Sequence, residues 1–227
     1  MAFNRRKFLQ KITLGSAAIG LSSRLFGEND ATATLSSNGS QHFNMCGYAA
    51  PKLNTVRIGF VGLGMRGPDA VERMSFIQGV EIVALCDKYP ERVKKTQEIL
   101  KKANLPAAKD YSGKEDSWKK MCEDPNIDLI YSCTPWHLHT PIAVYAMENG
   151  KHVATEVPTA KTIDECWQLV DTSEKTKKHC MMLENCCYDF FELLTLNMVR
   201  NGLLGEVVHA EGAYIHDLKW LNFKKTD

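Results

Sequence analysis

The sequence carries little net charge, no long uninterrupted apolar segment and no regular cysteine spacing. Its 28 basic and 27 acidic residues leave a formal charge of +1, so no broad basic surface points to nucleic acid. The apolar stretch at residues 12–25 is broken by Gly and Ser and is too short for a stable membrane span. None of the eight cysteines forms a Cys-x-x-Cys pair, which argues against structural zinc and favours free, buried thiols. These absences leave a globular protein of ordinary composition.

The first residues resemble an export signal. Arg5 and Arg6 precede Phe8, Leu9 and a run of small, modestly apolar residues, as in bacterial twin-arginine signals. A chance arginine pair before a short helix is the alternative. Residues 31–54 are rich in Ser, Thr, Ala and Asn and predict a linker without a core. We therefore expect an export signal at residues 1–30, a linker at 31–54, and a periplasmic or cell-surface protein.

From Thr55 onward, short β-branched runs alternate with amphipathic segments. This alternation is typical of right-handed crossovers in a doubly wound parallel sheet covered by helices on both faces, an α/β fold. The predicted strands are residues 56–61, 80–86, a weak segment near 110–111, 127–133, 153–156 and 180–183. The predicted helices are residues 68–76, 90–103, 117–122, 142–148 and 163–175.

A Gly-x-Gly-x-x-Gly motif, Gly62, Gly64 and Gly67, joins the first predicted strand to the first predicted helix. In a Rossmann domain the first glycine permits a tight turn, the second lets the backbone approach a diphosphate, and the third lets the helix pack closely. Asp87 ends the second strand about 20 residues later, where it would accept hydrogen bonds from ribose hydroxyls and repel a 2′-phosphate. We therefore predict a Rossmann domain at residues 55–186 that binds NAD in preference to NADP. A glycine-rich turn with an incidental Asp is the alternative.

Further candidate residues follow the carboxyl ends of strands, where ligands of open parallel sheets bind. Trp136 offers a flat apolar wall, and His137 and His139 offer hydrogen-bond donors. The histidine pair could instead bind zinc, although no third ligand stands nearby, or belong to a solvated loop that caps a helix. Together with residues of the turn, the candidate cofactor contacts are Met65, Arg66, Trp136, His137, Leu138, His139, Glu156, Val157 and Asn185.

The pattern changes after Asn185. An apolar helix is predicted at residues 190–199 and a long alternating strand at 205–214, which together indicate the start of an α+β domain with an open sheet at 187–227. One helix and one strand cannot bury their apolar faces alone, so we expect a chain truncated at its C-terminus.

These motifs resemble those of the Gfo/Idh/MocA family of oxidoreductases. Typical members carry Glu-Lys-Pro at the end of the fifth strand, with the Lys serving the dehydrogenase reaction, whereas this sequence has Glu156-Val157-Pro158. One branch is especially similar: glycoside hydrolase family 109, the NAD-dependent α-N-acetylgalactosaminidases. The motifs that carry this similarity are Gly-Leu-Gly-Met-Arg-Gly, Cys-Asp, Thr-Pro-Trp-His-Leu-His, Thr-Glu-Val-Pro and Glu-Asn-Cys-Cys-Tyr.

The resemblance implies a glycosidase without net redox change. The sugar is oxidised at carbon 3, loses the proton at carbon 2 together with the glycosidic oxygen, adds water and is reduced again, unlike the two-carboxylate route of most glycosidases. By position, the cofactor contacts are those named above and Tyr214 touches the sugar. His216 lies on the same predicted strand, but no catalytic base is assigned. The second domain commonly pairs subunits in this family, which implies a homo-oligomer.

Two other functions remain open from the sequence. A sugar oxidoreductase of the same family with retained cofactor would need another group in place of the missing Lys. A non-catalytic sugar sensor could keep the NAD fold. Export favours the redox-neutral cycle, because no soluble nicotinamide pool is expected outside the cytoplasm and the twin-arginine route carries folded, cofactor-loaded proteins.

Overall fold

Six parallel strands form one sheet. The computed structural model describes residues 43–213, 215 and 217. The strands are β1 Val56–Val61, β2 Val80–Cys86, β3 Lys109–Asp110, β4 Leu129–Ser132, β5 His152–Glu156 and β6 Cys180–Leu183. They lie in the order β3-β2-β1-β4-β5-β6, and every neighbouring pair is parallel. This order reverses direction between β1 and β4, the switch point at which dinucleotides bind in such sheets.

The predicted helices are all present, with the fourth beginning three residues earlier than expected. It starts at His139 because a short 3₁₀ turn, Trp136–Leu138, leads directly into it. The Thr162 hydroxyl caps the fifth helix by accepting from the Glu165 N–H at 3.1 Å, and Glu165 reciprocates, a capping box. The helices are α1 Gly67–Met74, α2 Pro90–Lys102, α3 Ser117–Glu123, α4 His139–Glu148, α5 Ile163–Thr176 and α6 Phe190–Arg200.

Helices cover both faces of the sheet. Along β1, Ile58 and Phe60 point into a core shared with α1 and α2, whereas Val61 points into a second core formed with α3, α4 and α5. This alternation follows from the two-residue period of a strand. Phe60 also stacks on Tyr131 of β4, with ring centroids 4.8 Å apart. The doubly wound α/β fold predicted from the sequence is confirmed, and it places the carboxyl ends of β1, β2, β4, β5 and β6 along one edge.

The segment after β6 is helical as predicted, but the predicted strand at 205–214 is wrong over its described part. Helix α6 buries none of its residues, and residues 205–213 contain no strand. A strand needs a neighbour for its backbone N–H and C=O groups, and no described segment pairs with this one. Tyr214 and His216 lie outside the described residues, as do residues 1–42 with the predicted export signal.

Part of the predicted linker packs against the domain. Residues 43–54 contain no helix or strand, as a linker should, yet the Tyr48 ring lies 5.4 Å from His179 and 5.6 Å from Phe43. His179 in turn stacks on His152, so an aromatic row fixes this segment at the amino end of β5 and β6. Within residues 43–213, no helix combines the length and the hydropathy needed to span a membrane.

Candidate cofactor site

The glycine turn after β1 is compact for steric reasons that the structure makes explicit. Gly62 has a φ of +88°, and a Cβ added to it would lie 2.7 Å from the Cys133 carbonyl, so only glycine fits. A Cβ on Gly67 would overlap the carbonyl oxygen of Gly62. Gly64 differs, because its added Cβ would meet only the Arg92 Nη1 at 3.6 Å. The first and third glycines therefore shape the turn, and the second leaves its backbone open to a ligand.

The N-terminus of α1 faces the same space. Arg66 occupies the capping position but makes no side-chain cap, and Pro68 fills the first turn. The first N–H groups of a helix have no partner within it, and they carry a partial positive charge. A diphosphate of NAD fits these groups, and the turn leaves room for it to approach the backbone of Gly64.

Asp87 is held against the turn from the end of β2. Its Oδ2 accepts from the Leu63 N–H at 2.7 Å, and its Oδ1 accepts from the Tyr89 N–H at 3.0 Å. The residue is 6% exposed. Each carboxylate oxygen keeps acceptor capacity beyond these single bonds, so the group can take ribose hydroxyls. The geometry brings Asp87 beside the glycine turn, as the motif spacing predicts.

Arg66 contacts two other predicted site residues. Its Nε donates to Glu156 Oε1 at 3.0 Å, and its Nη2 donates to Asn185 Oδ1 at 2.6 Å. Glu156 ends β5 and is buried, whereas Asn185 follows β6 and is exposed. The hydrogen bond to Glu156 raises the pKa of the Arg66 guanidinium. A side chain from the glycine turn thus ties the ends of β5 and β6 to the phosphate end of the site.

The loop after β4 divides into an exposed and a buried part. Trp136 is 62% exposed and His137 is exposed, while Leu138 is half-buried. His139 is 1% exposed, with its ring nitrogens 2.7 Å from the carbonyl oxygens of Thr134 and Pro158. The His139 ring is therefore held between two carbonyl oxygens of the chain, and its contact with the cofactor stays a prediction. Its ring joins two loops, the one after β4 and the one after β5.

The groups beside Glu156 are poor acids and bases at neutral pH. Burial raises the pKa of the Cys133 thiol to about 12 and that of the Tyr131 hydroxyl to about 12. Val157 is half-buried and offers no titratable group.

All eight cysteines are free, but four of them are exposed, contrary to the expectation of buried thiols. Within the described residues, no cluster of His, Cys, Asp and Glu is arranged to hold a metal ion.

Sequence reasoning missed two contributors to this site. The backbone of Leu63 positions Asp87, and Arg92, in the first turn of α2, brings a guanidinium to the same carboxylate. The only sequence signal for Arg92 was its place five residues after Asp87. Met65 lies in the turn at 83% exposure and forms no hydrogen bond with the other described site residues.

Comparison with known proteins identifies the domain. The sequence matches the family model "Oxidoreductase family, NAD-binding Rossmann fold" (Gfo/Idh/MocA) over residues 56–184 and the glycosyl hydrolase 109 C-terminal domain over residues 188–227. A glycosyl hydrolase family 109 protein from Bacteroides fragilis is 63% identical over 176 residues, 78% of this chain and 38% of the relative. An alpha-N-acetylgalactosaminidase from the same species is 55% identical over 180 residues, 79% of this chain and 42% of the relative.

The fold is also similar to that of a solved NAD-binding protein. An NAD-binding protein from Listeria innocua superposes with a TM-score of 0.54 at 26% identity, over 67% of this chain and 42% of that one. The chain spans about two fifths of the length of the curated relatives named above. The predicted family resemblance and NAD as the cofactor are confirmed. The chain belongs to the Gfo/Idh/MocA oxidoreductase family, with its NAD-binding Rossmann fold, and its residues 188–227 match the glycosyl hydrolase 109 C-terminal domain.

Proposed function

We propose that the protein hydrolyses terminal α-linked N-acetylgalactosamine with an NAD molecule that it retains through each cycle. The observation that carries this proposal is the 55% identity, across 79% of the chain, to a relative named alpha-N-acetylgalactosaminidase. Because the chain spans about two fifths of that relative, the activity is proposed for the full-length protein. The described domain then holds and orients the cofactor.

The end of β5 supports hydrolysis over net oxidation. Val157 stands where the dehydrogenases that the sequence resembles carry Lys, and an apolar side chain transfers no proton. Its neighbour Glu156 is engaged by Arg66 at 3.0 Å. The adjacent Cys133 stays a neutral thiol at neutral pH because burial raises its pKa to about 12. Val157 and the neutral Cys133 thiol therefore line the end of β5 without taking part in proton transfer.

When bound, NAD⁺ supplies a hydride acceptor for the sugar and afterwards returns the hydride. The chain's own residues hold this cofactor at three points. The glycine turn and the α1 N-terminus bind the diphosphate, and the Asp87 carboxylate accepts from the ribose hydroxyls. The pair formed by Arg66 and Glu156 defines the far end of the site, beside the exposed Asn185.

The proposal includes export in folded form. Arg5, Arg6 and the apolar run after them motivate the twin-arginine route, and a cycle that restores its own NAD needs no external supply. A double variant in which Lys replaces both Arg5 and Arg6 should remain in the cytoplasmic fraction of its bacterial host. Unchanged export of that variant would contradict the proposed route.

The test of activity uses full-length protein purified without added NAD and a chromogenic α-N-acetylgalactosaminide. We expect chromophore release, no accumulation of NADH, and NAD in the supernatant after heat denaturation. D87A should lose both bound NAD and activity, whereas K94Q, a change at an exposed position of α2, should keep both. Protein that carries NAD but releases no chromophore would overturn the proposal.

A second candidate is a sugar oxidoreductase that keeps its cofactor, as the named NAD-binding oxidoreductase family allows. It predicts a stoichiometric appearance of NADH absorbance when free sugar is added and no chromophore release from the glycoside. A homo-oligomer is compatible with either function and is tested separately by sedimentation of the full-length protein.

A further inference from the structure

Arg92 lies at the corner between the glycine turn and the carboxylate of Asp87. Its Nη1 is 3.7 Å from Asp87 Oδ2 and 3.6 Å from the point where a Cβ on Gly64 would lie. The guanidinium is placed over the Tyr89 ring, 4.6 Å from its centroid, a cation–π contact that fixes its position. A positive charge therefore lines the place where the adenosine ribose meets the diphosphate in a Rossmann domain.

The donors of this guanidinium are not used within the described part of the chain. No side-chain hydrogen bond from Arg92 is formed there, and the 3.7 Å contact with Asp87 is an ion pair longer than a hydrogen bond. The Arg92 side chain is 45% exposed, while that of Asp87 is 5% exposed. The Arg92 side chain is thus the more exposed member of the pair, and its N–H groups are open to a ligand.

We propose that Arg92 binds the adenosine side of the dinucleotide and, together with Asp87, sets the choice between NAD and NADP. The Asp87 carboxylate excludes a 2′-phosphate by charge repulsion, while Arg92 supplies the donors that bind this phosphate once the carboxylate is neutral. Guanidinium matches phosphate with two parallel hydrogen bonds. This inference depends on the NAD-binding domain and not on glycoside cleavage, so an inactive protein would test it equally well.

Lys88 is the competing cation, and its contacts argue against it. Its Nζ lies 3.7 Å from Glu115 Oε1, a carboxylate in the loop before α3, and 5.1 Å from the Tyr89 ring centroid. That pairing draws its charge toward Glu115. Arg92, by contrast, is already beside both Asp87 and the turn. The contributions of the two cations to binding can be distinguished, because each side chain can be replaced by glutamine.

The experiment titrates NAD⁺ and NADP⁺ into full-length, cofactor-stripped protein by calorimetry. We expect R92Q alone to weaken NAD⁺ binding by about three- to tenfold, with the unfolding temperature unchanged. D87N should strengthen NADP⁺ binding by about tenfold or more. Adding R92Q to D87N should abolish that gain, whereas adding K88Q should preserve it. R92K should restore part of the NAD⁺ affinity, because a single ammonium replaces the charge without the fork.

Several outcomes would overturn the proposal. NAD⁺ affinity unaffected by R92Q would remove Arg92 from the site. Equal NADP⁺ affinity in D87N and D87N/R92Q would show that Arg92 takes no part in the selection, and loss of the gain in D87N/K88Q would assign it to Lys88. K94Q, on the exposed surface of the same helix, controls for the lost positive charge and should leave both affinities unchanged. R92Q also leaves Asp87 intact, so the inference remains testable if D87N fails to fold.

Discussion

Replacing Gly67 with alanine tests whether glycine is required at this position for the packing of the turn, and not only for ligand binding. Gly67 opens α1 beneath the turn, and its added Cβ overlaps the Gly62 carbonyl oxygen. Gly62 cannot shift freely, because it has a φ of +88° and lies against the Cys133 backbone. Overpacking of this kind costs about 1–3 kcal/mol, and the better helix propensity of alanine offsets up to about 1 kcal/mol. We expect G67A to lower the free energy of unfolding by about 1–2 kcal/mol.

The matched control is G64A in the same turn. Its Cβ would meet only the Arg92 Nη1 at 3.6 Å, an ordinary contact with the end of a flexible side chain. Its free energy of unfolding should change by less than about 0.5 kcal/mol. The added methyl group nevertheless occupies the face that we assign to the diphosphate, so NAD⁺ affinity should fall by about tenfold or more.

Denaturant unfolding of the cofactor-free, full-length proteins measures the first effect, and calorimetric titration with NAD⁺ measures the second. Both glycine variants should bind NAD⁺ less tightly, but only G67A should be less stable without it. The reasoning is refuted if G67A unfolds like the unmodified protein, or if G64A keeps the original affinity for NAD⁺.

Three further predictions concern single side chains. H139F removes the imidazole whose ring nitrogens lie 2.7 Å from the Thr134 and Pro158 carbonyl oxygens and should cost about 1–3 kcal/mol of unfolding free energy, whereas H137F at the nearby exposed position should cost little. Equal losses in denaturant titrations would contradict this. R66M removes the contacts to Glu156 and Asn185, so NAD⁺ dissociation measured by stopped flow should accelerate, and an unchanged rate would exclude Arg66 from cofactor retention. The Asp124 carboxylate accepts hydrogen bonds from Tyr111 and Lys109, which lowers its pKa, so its stabilising effect is present above about pH 4 and is lost as the pH falls through the pKa of the folded state. D124N should therefore be less stable near neutrality by about 1 kcal/mol and should converge with the unmodified protein in acid. A stability difference that stays constant across pH would refute this cause.

The sequence allowed prediction of features that depend on neighbouring residues. The strand, glycine turn and helix at residues 56–74 follow from β-branched runs, glycine spacing and Pro68, all of them local signals. Asp87 was also predictable, because its distance from Gly67 along the chain is fixed by one helix and one strand. Parallel pairing then follows from the alternation of elements, which leaves the order of the strands little freedom.

Contacts between distant segments were not predictable in this way. Arg66 and Glu156 are 90 residues apart, and nothing in either local pattern specifies that they meet. The burial of His139 is equally hidden, since a polar loop residue gives no sign that it faces inward. The alternating residues at 205–213 read as a strand although pairing requires a partner that no described segment supplies. Arg92 looks like any other charged residue of a solvated helix until Asp87 and Tyr89 are placed beside it.

Two acid–arginine pairs at the carboxyl edge of the sheet share an orientation. In the pair of Asp87 with Arg92 and in that of Glu156 with Arg66, the acidic side chain is 5% and 11% exposed, and the arginine side chain is 45% and 38% exposed. Counted by residue the four charges cancel, but the positive ends lie outward and the negative ends inward. An approaching diphosphate therefore meets the guanidinium groups first. Capture of NAD by the emptied site should accordingly slow as ionic strength rises, because salt screens this outward charge.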